Sequence, residues 1–441
     1  VESQRSYVIV GTGHRAGTYI EALTGPYRAD AQIVAFCDPN AARADHYRSA
    51  YGLRDVPIAG PGDFSALLRQ RRPDVVLVTS PDHTHDTYIC AALAMGIDVI
   101  TEKPMTIDEE RLLRIKTAVD NSSARLTVIF NYRYSPRNST VKQLLADGAI
   151  GTVTSVHFEW LLDTAHGADY FRRWHREKTN SGGLLVHKST HHFDLVNWWL
   201  ADTAVSVYAM GGLKFYGERN ARQRGITPRP RLGRDLPSGD PFRIDLAADP
   251  ALRALYLDTE ALDGYHRDVD VFADGITIED TLSLVAGYQR GATMTYSLSA
   301  FSPWEGYRVA FNGTGGRIEL DVVERSRVPS APADEEEARV IDPSAGHSAG
   351  SRPDGSRPAG ERITLQRLWE PAAQIPIPAG AQAHGGGDDL MLRDLFGGAA
   401  DDNLGRAAGY QDGTRSVLVG IAANRSLAEG RPVRLAEFGF G

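Results

Sequence analysis

The segment Tyr7-Val8-Ile9-Val10-Gly11-Thr12-Gly13-His14-Arg15-Ala16-Gly17 decides the fold. Four apolar residues run without a polar break and stop at a glycine-rich turn, and a helix-compatible stretch follows over 17–23. An unbroken apolar run of this kind fits a strand buried on both faces of a parallel sheet. In the spacing Gly11-x-Gly13-x-x-Ala16, Gly11 permits a tight turn, Gly13 lets a pyrophosphate approach the backbone, and Ala16 lets helix and strand pack closely. His14 and Arg15, inside the turn, are counted with the cofactor-binding residues. The alternative is a plain glycine turn; the strand before it and the helix after it argue for a dinucleotide.

Outward from this point the same alternation repeats. Apolar runs at 33–37, 75–78, 98–101 and 126–130 are separated by helical patterns at 41–51, 64–69, 87–95 and 108–121. This predicts a doubly wound α/β Rossmann domain over 1–130 that binds NAD. Beyond about residue 150 the pattern changes to strict alternation at 153–160, 206–210, 281–286 and 292–298. Half-exposed antiparallel strands read this way, so 131–441 is expected to be an α+β substrate domain with a large open, mainly antiparallel sheet. A helix is predicted over 183–200. Residues 217–275, rich in Arg, Asp, Gly and Pro, read as a long insertion over one face, and 325–362 as a flexible loop. Helices at 388–396 and 413–427 are expected to close the chain and pack back on the first domain.

The 441 residues suffice for two domains, and 42% hydrophobic with 24% charged residues is ordinary for a soluble protein. A net charge of -8 without a long basic block argues against nucleic acid as a partner. Cys37 and Cys90 lie in apolar runs and read as buried thiols. No apolar run approaches the roughly 18 residues of a membrane span, and no signal sequence is read, so a cytoplasmic enzyme is expected.

The chemistry is carried by strand ends. Asp38, just past the second strand, is placed to receive ribose hydroxyls, which favours NAD over NADP; Arg43 on the next helix works against that preference. Asp38 capping the helix after Pro39 is the alternative. Ser80, Pro81 and Asp82 end the fourth strand and are expected to line the nicotinamide crevice, with His85 either joining them or starting the next helix. Glu102-Lys103-Pro104 places a lysine, held by a proline, at the end of the following strand, and Asn131 completes the cofactor set. His187 and His191, four apart, share a helix face with Asp194 three beyond. A near-neutral histidine suits removal of a hydroxyl proton as hydride leaves the same carbon. Packed histidines are one alternative. A two-His-one-carboxylate metal set is another, but Lys103 already supplies positive charge, so no metal is assigned. Lys188 and His192 point about 100° away from these and read as solvated or structural.

Together these residues resemble the Gfo/Idh/MocA family, named for glucose-fructose oxidoreductase, inositol dehydrogenase and a rhizopine catabolism protein. The glycine turn, Cys37-Asp38-Pro39, Glu102-Lys103-Pro104, Asn131-Tyr132-Arg133, the turn at 148–153, and Gly182-Gly183-Leu184-Leu185 leading to His191 and Asp194 match in order. The resemblance implies catalytic roles for Lys103, which fixes the reacting hydroxyl, and His191, which exchanges its proton, and often a subunit contact through the sheet. The family's aspartate four residues before that histidine is His187 here. Two stacked imidazoles would then raise the pH optimum. The expected activity is NAD-dependent oxidation of a secondary hydroxyl of a sugar, cyclitol or glycoside, by a homodimer or homotetramer. Buried hydroxyls need paired donors and acceptors; the candidates are Asn131, Tyr132, Arg133, Trp160, Arg173, Trp174, Arg176, His187, Lys188, Asp194 and His384, with Trp174 stacking on a sugar face. Core packing is the alternative for both tryptophans. A redox-cycling glycosidase of the same fold and a non-catalytic NAD-binding regulator are the competing functions.

Overall fold

The computed structural model describes residues 4–328, 357–378, 387–398 and 402–440. Its first sheet is wholly parallel: β1 (Arg5–Val10), β2 (Ala31–Cys37), β3 (Ile58–Ala59), β4 (Val75–Val78), β5 (Asp98–Thr101) and β6 (Leu126–Val128), in the order β3-β2-β1-β4-β5-β6. Val8, Ile9, Val10 and all of β4 are buried, as helices on both faces require. The helices are α1 (Ala16–Thr24), α2 (Ala41–Ala50), α3 (Phe64–Arg71), α4 (His85–Leu93) and α5 (Glu109–Asp120). The strand order reverses between β1 and β4, which opens a crevice at their carboxyl ends. Gly11 stands at that point with φ +81°, and a Cβ there would lie 2.5 Å from the Ser80 backbone. Only glycine fits.

After α6 (Pro136–Ala146) come α7 (Thr164–Arg172), α8 (Lys178–Ser181), α9 (Leu184–His187) and α10 (Ser189–Leu200). The second sheet has β7 (Val153–Asp163), β8 (Ala204–Gly212), β9 (Thr281–Tyr288), β10 (Thr293–Ser302), β11 (Glu305–Gly313), β12 (Gly316–Arg325), β13 (Gly360–Arg367), β14 (Ala373–Ile375) and β15 (Val433–Arg434). Its order is β14-β13-β12-β11-β7-β10-β9-β8-β15, antiparallel except between β7 and β10. Burial alternates along β9 and β10, so one face is covered and the other open.

Three expectations change. The helix foreseen over 183–200 is two, α9 and α10, meeting at Lys188, because the His187 carbonyl accepts from Lys103 Nζ at 3.0 Å while the His191 amide donates to Lys188 O. The insertion at 217–275 does more than overlie one face: Leu246, Leu252, Leu255 and Tyr256 join a core with Tyr7, Ile20 and Phe36 of the first domain. The loop foreseen at 325–362 begins on β12 and ends on β13, and its centre, like His384, lies outside the described residues. The closing helices contact the first domain: Phe396 of helix Gly387–Phe396 packs edge-on to Tyr7, and helix Tyr410–Glu429 brings Gly413 against Val128 and Met105, while its Gly420 lies against the Leu185 carbonyl of α9.

Candidate active site

The β1–α1 turn is held from below. Asp38 Oδ2 accepts from the Thr12 amide (2.6 Å) and hydroxyl (2.9 Å), and Oδ1 from the Asn40 amide (2.7 Å). Asp38 thus braces the turn and the start of α2 at once, and one acceptor site on Oδ1 stays open to a ribose hydroxyl. Tyr47 donates to Gly13 O, and the His14 amide donates to the Tyr256 hydroxyl at 2.9 Å. Glu102 accepts from Arg15 Nε and the Tyr19 hydroxyl, both at 2.5 Å. Burial pushes Glu102 up, but the Arg15 guanidinium and the Tyr19 hydroxyl outweigh it and hold the carboxyl below its usual value. These features fit NAD: the glycine turn leaves a cradle that a side chain would fill, amides stand at a helix N-terminus, and a carboxylate waits beside β2.

The carboxyl ends of β4 and β5 meet α9 across the crevice. His187 Nδ1 lies 2.5 Å from Asp82 Oδ2, and its Nε2 lies 3.5 Å from Lys103 Nζ. Gly182 and Gly183, with φ of +69° and +74°, turn the chain so that α9 enters with His187 facing the first domain. His175 packs edge-on to His187 at 4.3 Å, Trp174 stacks on His175 at 3.7 Å, and Tyr170 touches both histidines. Burial lowers Lys103 from its usual value although Asp82 and Glu102 pull it back up. Burial likewise raises Asp82 well above the carboxylate range against the pull of Lys103. His187 is pushed well below its ordinary value, by burial first and then by Lys103, His175 and Arg173. The geometry suits a neutral imidazole that donates from Nδ1 to Asp82 and presents the Nε2 lone pair to Lys103.

His191 sits elsewhere. Its ring lies parallel to Tyr132 at 4.4 Å and edge-on to Phe130. The imidazole beside His187 is His175 and not the expected His191, so the stacked pair expected to raise the pH optimum is not formed. Lys188 is buried, donating to the Tyr132 hydroxyl at 3.2 Å with its ammonium 4.8 Å over the Trp160 ring. His192 is fully buried, bonded to the Tyr296 hydroxyl and stacked on Trp160. Neither is solvated.

Several residues assigned to substrate or cofactor are used otherwise. Arg133 forks onto Asp194 at 2.6 and 2.7 Å and onto Asp412 at 3.0 Å, with Arg133 and Asp194 both 2% exposed. Burial lifts Asp194 to about 6 despite Arg133. Bound to each other, these two join α10 to the last helix through Asp412. Trp160 is 1% exposed between Tyr307 and His192, so it is core. Arg176 donates to the carbonyls of Ala273 and Asp274 and anchors the insertion. Both ring nitrogens of His85 meet backbone carbonyls, of Ser80 and Pro104, so it ties the end of β4 to the lysine loop. Ser80 bonds the Thr84 hydroxyl, Pro81 leads into Asp82, and Asn131 donates to Asp388.

Sequence reasoning missed Tyr170, His175, Asp169 and Arg267; Asp169 binds both Arg173, which it did name, at 2.8 Å and Arg267 at 2.9 Å. The run Arg172-Arg173-Trp174-His175-Arg176 was the available signal, a dense cationic and aromatic stretch in a short loop.

Residues 5–130 match the family model described as the NAD-binding Rossmann fold of an oxidoreductase family, and residues 142–435 match the C-terminal alpha/beta domain of the same Gfo/Idh/MocA family. The chain is 36% identical to the putative oxidoreductase YteT of Bacillus subtilis, with 98% of each chain covered. It is 30% identical to inositol 2-dehydrogenase of Rhizobium meliloti over 46% of this chain and 56% of that protein. Among solved structures, the WlbA dehydrogenase of Bordetella pertussis in complex with NADH and UDP-GlcNAcA shares the fold at a TM-score of 0.62 and 17% identity, covering 98% of this chain and 99% of that one.

Proposed function

The chain belongs to the Gfo/Idh/MocA family of oxidoreductases and carries its NAD-binding Rossmann domain; on that premise we propose that it oxidises a secondary hydroxyl of a sugar, cyclitol or glycoside. The observation that carries the proposal is the row Asp82–His187–Lys103, contributed by both domains and meeting at the crevice. Bound NAD supplies the hydride acceptor. Lys103 Nζ donates to the substrate oxygen and stabilises the negative charge that grows there as the C–H bond breaks. His187 Nε2 takes the hydroxyl proton, directly or through Lys103, and Asp82 holds the ring in the tautomer that leaves Nε2 unprotonated. His191, flat on Tyr132, offers a second imidazole to a neighbouring hydroxyl, and Trp174 an aromatic face to the substrate ring. A non-catalytic regulator would have no use for a buried ammonium, imidazole and carboxylate in register, since each is costly to bury unless paired.

The open face of the second sheet supports self-association. It forms a concavity of about 790 Å³ lined by Tyr208, Met210 and Val285 among charged residues such as Arg308 and Glu319, and Met210 is 64% and Val285 49% exposed. Apolar side chains this exposed on a broad sheet are what a second copy of the chain would cover.

The test is a panel of polyols, cyclitols and glycosides with free NAD, following NADH formation, in wild type and Lys103→Ala. Hydride transfer from at least one compound, abolished in the variant while NAD binding persists, is the expected result. Equal rates in wild type and variant would remove the proposal.

A further inference from the structure

Arg173 and Trp174 are the two half-buried residues of the run 171–176, whose other members are buried, and they stand beside the Asp82–His187–Lys103 row. Trp174 stacks on His175 and meets the His187 ring edge-on at 5.8 Å. The Arg173 guanidinium is close enough to act electrostatically on His187, Lys103 and Asp82 alike. The proposed hydride transfer gives that guanidinium no role. Its support is built from the interior outward. Arg267, 3% exposed, binds Asp169 Oδ1 at 2.9 Å, and Asp169 Oδ2 accepts from Arg173 Nη1 at 2.8 Å. Burial pushes Asp169 up, but Arg267 and Arg173 outweigh it and hold the carboxyl well below its usual range. Asp169 is therefore a full anion, yet a single one shared by two guanidiniums. Arg173 Nη2 donates to no described residue, and the side chain keeps 24% exposure.

The crevice around this trio supplies no balancing charge. Lys103 and Asp82 sum to zero whichever of them holds their proton, and Arg15 is matched by Glu102. Burial keeps His175 and His187 well below their ordinary values, so both rings are neutral. In the adjoining insertion, Glu260 and Asp268 are engaged by Arg234, and Asp263 by Arg43. One positive charge is left over, and Arg173 is the member of the trio that carries it toward the crevice. A partly buried charge without a partner is costly, and a planar guanidinium with free N–H groups matches a carboxylate in both sign and shape.

We propose that Arg173 binds a carboxylate on the substrate, so that the preferred substrates are sugar acids of the hexuronic type in place of neutral polyols. The inference rests on the reading of the crevice as a dehydrogenase site and narrows its substrate class. Trp174 lies under the sugar ring, Arg173 fixes the charged end, and a ring hydroxyl is left to face Lys103. Asp169 and Arg267 are positioning residues that aim the guanidinium. A phosphate of the dinucleotide is the other oxyanion with the right chemistry, and the experiment separates the two.

D-Galacturonate and D-glucuronate are compared with their methyl esters and with D-galactose and D-glucose by calorimetric titration, with the protein saturated in NADH so that no oxidation occurs. The acids are expected to bind about tenfold to a hundredfold more tightly than the esters, the worth of a hydrogen bond to a charged group. Arg173→Gln should erase that margin, and Arg173→Lys, which keeps the charge but not the fork, should keep part of it. In turnover with NAD the loss is expected in KM for the acid more than in kcat. Acids that bind no better than their esters, or not at all, overturn the proposal in wild type alone, whatever the variants do. Lost NADH affinity in Arg173→Gln with an unchanged acid-to-ester ratio gives the guanidinium to the dinucleotide and overturns it too. Hydride transfer from neutral sugars at KM values equal to those of the acids sinks the acid preference and leaves the dehydrogenase standing. Acid-selective binding that depends on Arg173, with no hydride transfer from any compound, sinks the dehydrogenase instead.

Discussion

Asp82 illustrates how one atom's position fixes a proton's path. In Asp82→Asn the side-chain amide donates to His187 Nδ1 or turns its oxygen there, so the tautomer is no longer dictated, and a proton on Nε2 would face the Lys103 ammonium. We expect kcat to fall by about 10²–10⁴-fold, with NAD affinity and thermal midpoint near wild type; a steady-state comparison beside a binding titration checks it. The pH profile carries the same information. His187 is depressed from 6.5 by burial first, so its neutral form survives as pH falls past that value, and the acid limb of kcat/KM should lie below it. Lys103 is depressed from 10.5, so its ammonium is lost early as pH rises, and the alkaline limb should lie below 10.5. An acid limb above the ordinary histidine value would contradict this arrangement. Arg133 answers to stability and not to substrate. Arg133→Met strands the Asp194 carboxylate in the interior at a cost of about 3–5 kcal/mol. With the guanidinium gone, Asp194's folded value rises above its present value of about 6, so the loss is largest at alkaline pH and shrinks as the carboxyl takes up a proton on acidification. Urea midpoints measured at acidic and alkaline pH show the trend directly.

At the scale of elements, the part of the fold set by local pattern was readable and the part set by contact at a distance was not. The five long runs of β1, β2, β4, β5 and β6 were visible because strands buried on both faces must be apolar throughout, while β3 is two residues long and leaves no pattern. Lys103, His187 and Asp82 were each legible as polar residues at strand or helix ends. That Asp82 would serve His187 was not, because 105 residues separate them and only the sheet's strand order joins them. The helix over 183–200 was foreseen whole because nothing local marks Lys188 as a break; the cause is Lys103 taking the His187 carbonyl. Trp160 and Arg133 were over-read for the opposite reason, since a large amphipathic side chain looks the same in a core and in a binding site. The glycine turn was the most secure inference, and it bears the sharpest test. In Gly11→Ala the added methyl meets Ser80 backbone at 2.5 Å and the residue must hold φ +81°. Left-handed backbone alone costs about 1–2 kcal/mol, and relieving the overlap drives β1 and β4 apart at the crevice. NAD titration and thermal unfolding together should show lost binding with a lowered midpoint. Retained affinity would mean that the dinucleotide does not lie on this turn.

For the whole molecule the question is why the described residues leave so broad a face of the second sheet uncovered. A sheet in an α+β domain needs only one face packed, and here the last helix on β8 and α10, through His192 on Tyr296 and Trp199 on Phe311, supply that packing. A solvated face would then be expected to carry polar side chains at every outward position of its strands. Val205, Tyr208 and Met210 on β8 and Val285 on β9 break that rule on neighbouring strands, whereas Arg308, Arg317, Glu319 and Asp321 on β11 and β12 keep it. An apolar half beside a charged half suits a two-fold contact in which each copy lays its charged strands beside its partner's and buries the apolar ones at the centre. Met210→Glu/Val285→Glu places two carboxylates per copy where the axis would pass. Desolvating like charges there should shift the assembly to monomers by light scattering on a sizing column, with each monomer still folded by circular dichroism. If the doubly substituted chain keeps the mass of the wild-type assembly, this face is not the contact.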